Sequence, residues 1–232
     1  LEKYFILVTA VFVFLVYLFT IAPSVVQIDS GELAAVQAKL GIAHPTGYPL
    51  FTIVGYIFSL IPLPFTKIFQ LNLLAAIYCS AAVGVFIHTI KLCFDNLSLF
   101  VSKQTAQSKV SKIKKKNKHK SEKEKTQSEI SEITKIISAV FGGLALAFSR
   151  TFWFQSTSVE VYSLHLLLIT IIILMLVKAY IISFKSDEIK PWLIFAVLLA
   201  LGFTNHMTTL LILRGTAFIY FSLFKINQTS VK

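Results

Sequence analysis

A short segment near the start of the chain carries side chains that could do acid–base chemistry. It opens on Asp29 and Glu32, within the order DSGE, and reaches His44 about a dozen residues later. A carboxylate held against a hydroxyl group can act as a general base, and an imidazole can contact a phosphate or a hydroxyl. Two carboxylates at the first turn of a helix can also be simple caps. The residue types therefore leave a base site and a capped helix as alternatives. For His44, the alternative is a structural histidine in a proline-rich turn.

The spacing around these residues predicts how they are held. Asp29 or Ser30 can cap a helix, and Glu32 stands where a capping box requires it. An apolar stripe follows at helical spacing, and Gly41 is placed to end the helix as its C′ residue. We expect a short amphipathic helix lying in a membrane interface. The turn HPTGYP comes next, and residues 50–62 predict a second interfacial helix.

The composition is that of a membrane protein. Of the 232 residues, 56% are hydrophobic and 14% are charged, against about 25% charged in a soluble domain. Only two cysteines are present, which excludes a disulfide-stapled module. Apolar runs long enough to approach or cross a bilayer cover residues 4–22, 68–90, 136–154, 161–177, 192–204 and 207–224. The first run is too long for the core of a signal peptide. We therefore predict an all-α, polytopic membrane protein with about six transmembrane helices.

The distribution of lysine predicts the orientation. If residues 50–62 lie in the interface, one side of the membrane receives most of the lysines: Lys3, the lysine-rich segment 103–135, the loop 178–190 and Lys225. The positive-inside rule makes that side cytoplasmic. The predicted organisation is two helices with an outer loop 23–67 over residues 1–101, a basic cytoplasmic loop over 102–135, and about four helices over 136–232. We expect residues 102–132 to be disordered, since they hold few apolar side chains.

The net charge of +11 at first indicates a nucleic-acid partner. Half of the basic residues, however, lie in one segment, 103–135. We interpret that segment as a solvated linker that sets topology and expect no nucleic-acid partner. Binding of RNA or anionic lipid is the alternative.

Further polar residues fall on the same outer side in this topology. Glu160, Asn205 and His206 are candidates to line a cavity with the first loop, although each could be a structural residue of the interface. Arg150 could face a phosphate or extend its charge to the membrane surface from a helix end. We predict no metal site, because the first loop offers too few ligands and no histidine pair at helical spacing.

The ordered set of motifs resembles a family of membrane glycosyltransferases, the transmembrane protein 260-like O-mannosyltransferases and their bacterial relatives. The resemblance covers about residues 5–213. The matching residues of the first loop are Asp29, Ser30, Gly31, Glu32, His44, Pro45, Gly47, Tyr48 and Pro49. Two later segments, around TFWFQ to EVY at 151–162 and G-F-T-N-H-M-T at 202–208, are also similar.

The resemblance implies a fold and a reaction. Such enzymes have the GT-C fold and use a polyprenyl-phosphate sugar as donor, with an acidic residue of the first outer loop at the reaction centre. It implies Asp29 as base, Glu32 as orienting partner or alternative base, and His44, Tyr48, Arg150, Glu160, Asn205 and His206 as substrate-binding residues. It also implies a protein acceptor with Ser or Thr hydroxyls, no cofactor, and a place in the endoplasmic reticulum membrane if the source is eukaryotic. GT-C enzymes have more helices than this chain, so we expect it to be part of a longer protein. A transporter or lipid-binding protein and an inactive fragment are the alternatives.

Overall fold

The computed structural model describes residues 2–26, 28–100, 130–186 and 188–223. Within these ranges the chain is helical and contains no strand, as predicted. The helices are α1 (Glu2–Leu18), α2 (Ser30–Lys39), α3 (Pro49–Ser59), α4 (Lys67–Asp95), α5 (Glu132–Ala147), α6 (Arg150–Ser156), α7 (Val161–Ile182), α8 (Lys190–Asn205), a 3₁₀ helix (Met207–Leu211) and α9 (Ile212–Leu223).

Helix α4 is the centre of the bundle, with α1, α5 and α7 packed around it. Its buried face is built largely of small residues, including Ala76, Ala82 and Gly84. A β-carbon on Gly84 would lie 3.4 Å from the side chain of Ala10 on α1. Small side chains let helices approach closely, which is how helices pack inside a membrane.

Within the described ranges, two helices are long and apolar enough to cross a bilayer, α4 and α7. Helices α5 and α6 meet at a 70° bend and would make a third span if counted together. Helices α1, α3, α8 and the segment Met207–Phe221 are apolar but shorter. Among the described residues, two or three helices therefore qualify as candidate spans by length and composition. The count of about six stays a prediction.

Hydrogen bonds define one end of the bundle, which we call the upper end. The side chain of Asn72, near the start of α4, donates to the carbonyl of Ala22 after α1 and accepts from the N–H of Val159 before α7, both over 2.8 Å. The hydroxyl of Tyr17, near the end of α1, donates to the carbonyl of Ala147 at the end of α5 over 2.9 Å. The amino ends of α4 and α7 therefore lie beside the carboxyl ends of α1 and α5.

Ion pairs define the opposite, lower end. Lys91 near the end of α4 pairs with Asp95 at 2.6 Å and with Glu132 at the start of α5 at 3.1 Å. Lys135 also reaches both carboxylates, at 3.1 and 2.5 Å. Residues 101–129 lie outside the described residues, so the predicted disorder of the lysine-rich loop is not addressed. The ion pairs hold together α4 and α5, the two helices that flank this segment.

Helices α2 and α3 lie together at the upper end. The side-chain amide of Gln37 on α2 donates to the carbonyl of Phe51 on α3 over 2.9 Å. At the other end of α3, Gln70 at the start of α4 donates to the carbonyl of Phe58 over 2.7 Å. Both ends of α3 thus contact elements of the same end of the bundle. Its 11 residues rise only about 16 Å, roughly half a hydrocarbon core.

The end of α2 differs in detail from the expectation. Gly41 follows the helix as its C′ residue, but the left-handed conformation falls on Leu40, at φ 51° and ψ 45°. The N–H of Gly41 donates to the carbonyl of Val36 over 2.9 Å. A left-handed leucine is strained, and here the surrounding contacts must hold it.

Candidate functional site

The predicted capping box is wrong, because Glu32 contacts His44 instead of the start of its own helix. Asp29 does precede α2, but its side chain makes no capping hydrogen bond. The carboxylate of Glu32 turns to the other end of the loop instead, where its Oε1 accepts the backbone N–H of His44 over 2.8 Å. Both oxygens of Glu32 also lie 3.2 Å from Nδ1 of His44. Glu32 therefore ties the start of α2 to the HPTGYP turn.

The contact between Glu32 and His44 lowers the pKa of Glu32 and determines the tautomer of a neutral His44. The N–H of His44 is the main cause that holds the pKa of Glu32 below its usual value, so the group is a carboxylate at neutral pH. A carboxylate only accepts, so Nδ1 of His44 must carry a proton. In the neutral imidazole, Nε2 is then an acceptor, and it lies 3.4 Å from the hydroxyl of Tyr48. Glu32 thus orients His44 as a carboxylate orients a histidine in many enzymes.

The ring of Tyr48 connects this pair to the end of α8. It stacks on His206 with centroids 5.9 Å apart and an interplanar angle of 2°. The rings of Tyr162 and His165, on the first turns of α7, each lie 5.1 Å from that of His206. Four rings from the first loop, α7 and the end of α8 thus form one cluster at the upper end.

Glu160 stands immediately before α7 and is 8% exposed. Burial, and next the negative charge of Asp29, raise its pKa from 4.5 to about 7, while His44 acts in the opposite direction. Asp29 itself is exposed. The negative charge of Asp29 therefore lies close enough to Glu160 to favour the neutral form of the Glu160 carboxyl group.

Asn205 and Arg150 are placed differently from the other candidates. Asn205 is 1% exposed, and neither its amide nitrogen nor its amide oxygen has a hydrogen-bond partner within the described residues. Arg150 begins α6 as an exposed residue, and no hydrogen bond or ion pair joins it to the ring cluster within the described part of the chain. Among the described residues, no such contact therefore joins Arg150 to the residues that the loop brings together.

An apolar groove of about 440 Å³ lies beside Arg150. Its walls come from α5, α6 and α7, with Ser149, Thr151 and Gln155 as polar members. Tyr162 also lines the groove, and its ring contacts His206 on the other side. The groove and the ring cluster therefore share one wall.

Sequence reasoning did not single out His165 and Thr208. The hydroxyl of Thr208 lies 2.9 Å from Nε2 of His165 and 2.7 Å from Nδ1 of His206. One signal was available, since Tyr162 and His165 are three positions apart in a largely apolar helix and so share a face. Among the described residues no group of three or more His, Cys, Asp or Glu side chains is placed to hold a metal ion, and the expected absence of a metal remains a prediction.

Comparison with known proteins finds a family whose model covers this region. The family model described as the protein O-mannosyl-transferase TMEM260 N-terminal domain matches residues 29–230. The protein O-mannosyl-transferase tmem260 of Dictyostelium discoideum is 56% identical over 45 residues, which are 19% of this chain and 6% of that protein. The protein O-mannosyl-transferase TMEM260 of Mus musculus is 34% identical over 76 residues, or 32% of this chain and 11% of that protein.

The aligned segments thus cover only a small part of either relative. No solved structure matches the chain. The family model nevertheless spans most of the chain, and its matched range begins at Asp29 and includes every candidate site residue. The chain therefore belongs to the family of the protein O-mannosyl-transferase TMEM260 N-terminal domain.

Proposed function

We propose that this chain carries the catalytic region of a membrane glycosyltransferase of the GT-C type. The enzyme transfers mannose from a polyprenyl (dolichyl) phosphate to Ser or Thr hydroxyls of proteins, with inversion at the anomeric carbon. The observation that carries the proposal is the convergence of the first loop, the start of α7 and the end of α8 at one end of an apolar bundle. The names of the relatives support the type of transfer.

Asp29 is the proposed base. A Ser or Thr hydroxyl is a weak nucleophile at neutral pH, so a carboxylate that accepts its proton accelerates attack. The hydroxyl oxygen forms the new bond to the anomeric carbon as the bond from that carbon to the phosphate oxygen breaks. The electron pair of the broken bond leaves with the lipid phosphate, and the proton passes to the carboxylate. Asp29 is exposed, whereas the carboxylate of Glu32 is already engaged by His44, which favours Asp29 over Glu32 for this role.

Glu32 and His44 are the proposed orienting pair. By fixing the HPTGYP turn against α2, they place Tyr48 against the ring of His206. Lipid phosphate is already a good leaving group, so the site needs hydrogen-bond donors for its developing charge more than it needs an acid. His206 and the exposed Arg150 are the proposed sources of such donors. Glu160 and Asn205 are proposed to line the sugar side of the site.

The groove that shares Tyr162 with the ring cluster is the proposed place of the first isoprene units of the donor lipid. The surface that its walls expose is mostly apolar, although Ser149, Thr151 and Gln155 are among the residues that line it. The predicted orientation places this end of the bundle on the luminal face, and we propose that the protein resides in the endoplasmic reticulum membrane if it is eukaryotic. A polyprenyl-phosphate sugar, an acceptor protein and the bilayer are then its partners, and no cofactor is needed.

The test is transfer of radiolabelled mannose from dolichyl phosphate mannose to an acceptor peptide, using membranes that contain the expressed protein. We expect label on Ser or Thr, lost in Asp29→Asn, with equal amounts of protein in both membranes. Lys185→Gln is a matched control, because Lys185 is exposed beyond the lower end of α7. If Asp29→Asn transfers mannose as well as the parent does, Asp29 is not the base. If the parent transfers glucose and not mannose, the donor assignment is wrong.

A further inference from the structure

The hydroxyl of Thr208 bridges two imidazole rings. It lies 2.7 Å from Nδ1 of His206 and 2.9 Å from Nε2 of His165. The backbone N–H of Thr208 also points at Nδ1 of His206, over 3.3 Å. His165 is buried, with 9% of its surface exposed. Nδ1 of His206 thus lies within hydrogen-bond distance of both the hydroxyl and the backbone N–H of Thr208.

Counting protons fixes the direction of these hydrogen bonds. A backbone N–H only donates, so Nδ1 of His206 is an acceptor and carries no proton. The hydroxyl of Thr208 has one proton, and it donates that proton to the same nitrogen. The hydroxyl oxygen then accepts from His165, whose proton lies on Nε2. The single proton of a neutral His206 is therefore on Nε2.

Nε2 of His206 has no hydrogen-bond partner among the described residues, and the ring is only partly buried. Burial lowers the pKa of His206, so the ring is neutral at pH 7. His44, whose ring also contacts that of Tyr48, has the opposite arrangement, because Glu32 holds its proton on Nδ1. The site thus presents an acceptor nitrogen on His44 and a donor nitrogen on His206, and the ring of Tyr48 contacts both rings.

We propose that Thr208 is a positioning residue that locks His206 in the Nε2–H form, and that this N–H donates to a phosphate oxygen of the ligand. The identity of the ligand rests on the proposed function. The lock, by which Thr208 holds His206 in the Nε2–H form, rests on hydrogen-bond geometry alone. The lipid phosphate carries a sugar when it binds and has lost the sugar when it leaves. An uncharged hydrogen-bond donor stabilises the phosphate oxygen without retaining the product as strongly as a full positive charge would.

The lock is tested by nitrogen NMR of the ¹⁵N-histidine-labelled chain in detergent micelles. The signals of His206 are assigned as those lost in His206→Gln. We expect a protonated Nε2 and an unprotonated Nδ1 in the parent and in Thr208→Ser. We expect a mixture of both forms in Thr208→Val, because valine loses the 2.7 Å hydroxyl contact with Nδ1 and keeps only the longer backbone contact of 3.3 Å. His44 serves as internal control and keeps its proton on Nδ1 in all three proteins. A proton on Nδ1 of His206 in the parent, or an unchanged spectrum in Thr208→Val, overturns the lock.

The ligand is tested on the same samples with farnesyl phosphate and with inorganic phosphate. We expect farnesyl phosphate to shift the Nε2–H signal of His206, with affinity reduced about three- to tenfold in Thr208→Val and restored in Thr208→Ser. A shift caused equally by inorganic phosphate identifies a phosphate site that does not require the lipid and still supports the donor role. Absence of a shift with both probes overturns the phosphate assignment. Neither readout uses sugar transfer, so failure of the proposed function does not mimic failure of this proposal.

Discussion

Tyr48 and His206 stack in parallel, although one belongs to the first loop and the other follows α8. Tyr48 holds this position from a left-handed backbone conformation, φ 43° and ψ 56°, directly before the proline that begins α3. Such a conformation is strained for tyrosine. The local strain is offset by what the ring contacts, namely the parallel ring of His206 and the ring of His44, whose centroid lies 5.5 Å away.

The first prediction separates the ring of Tyr48 from its hydroxyl. Tyr48→Phe keeps the stacking and loses only a long hydrogen bond of 3.4 Å, so we expect a loss of mannose transfer of about tenfold or less. Tyr48→Ala removes the ring that joins the loop to His206, and transfer should fall much further. Steady-state transfer rates of the two variants in membranes provide the measurement. Equal rates in Phe and Ala variants would show that the stacking has no role.

The second prediction concerns the two carboxylates of the first loop. Asp29→Asn removes the proposed base without changing its size, and we expect a loss of about 100-fold or more in transfer. Glu32→Gln retains an acceptor oxygen for the N–H of His44 but loses the charge that holds the proton on Nδ1. It should cost less than Asp29→Asn and should lower thermal stability only slightly. The measurement compares the transfer rates and melting temperatures of both variants. A greater loss of transfer in Glu32→Gln than in Asp29→Asn would indicate that Glu32 is the base and Asp29 the orienting residue.

The sequence predicted the elements of this region better than their contacts. The amphipathic helix after Asp29 was predicted correctly because its apolar stripe has helical spacing and Gly41 follows it. The partner of Glu32 was not, since a carboxylate three positions after Asp29 fits a capping box equally well, and only the folded turn brings His44 within reach. The left-handed conformation at the end of α2 falls on Leu40 and not on the glycine that follows it, and local preference alone favours glycine there. His165 was missed because a lone histidine in an apolar helix has the pattern of a core residue.

The third prediction uses the raised pKa of Glu160. Its pKa is about 7 in the folded protein and 4.5 as the reference value, so between these values the folded state binds the extra proton. Stability from this group is therefore present below about pH 4.5 and is lost as the pH rises through about 7. Glu160→Gln mimics the protonated form and should raise the melting temperature at pH 8 but not at pH 4.5. Thermal unfolding of both proteins in detergent at the two pH values tests this, and a pH-independent difference would contradict it.

The fourth prediction compares two glycines in helices. A β-carbon on Gly55 of α3 would overlap the side-chain amide of Gln37 on α2, which itself donates to the carbonyl of Phe51. Gly55→Ala should therefore displace the side chain of Gln37 from its hydrogen bond to Phe51 and destabilise the protein by about 1–3 kcal/mol. Gly215→Ala on α9 is the control, because nothing lies within 4 Å of its β-carbon, and alanine favours a helix. Melting temperatures should fall for Gly55→Ala and stay level or rise for Gly215→Ala; similar values for both would refute the close approach of α2 and α3.

The last prediction concerns the side of the membrane on which α3 begins and ends. Both of its ends contact elements of the upper end of the bundle, and the side chain of Lys67 donates to the carbonyl of Ser59 where α3 ends. We therefore expect cysteines at Lys39 and Lys67 to react with an impermeant thiol reagent from the same side. A cysteine at Lys185, exposed beyond α7, should react only from the other side. Cys79 and Cys93 are free thiols and are replaced by alanine in all three proteins to remove background. If the cysteine at position 67 reacts together with that at 185 and not with that at 39, then α3 crosses the bilayer. The start of α4 would then lie opposite α2, which would contradict the gathering of the first loop, α7 and the end of α8 on one face.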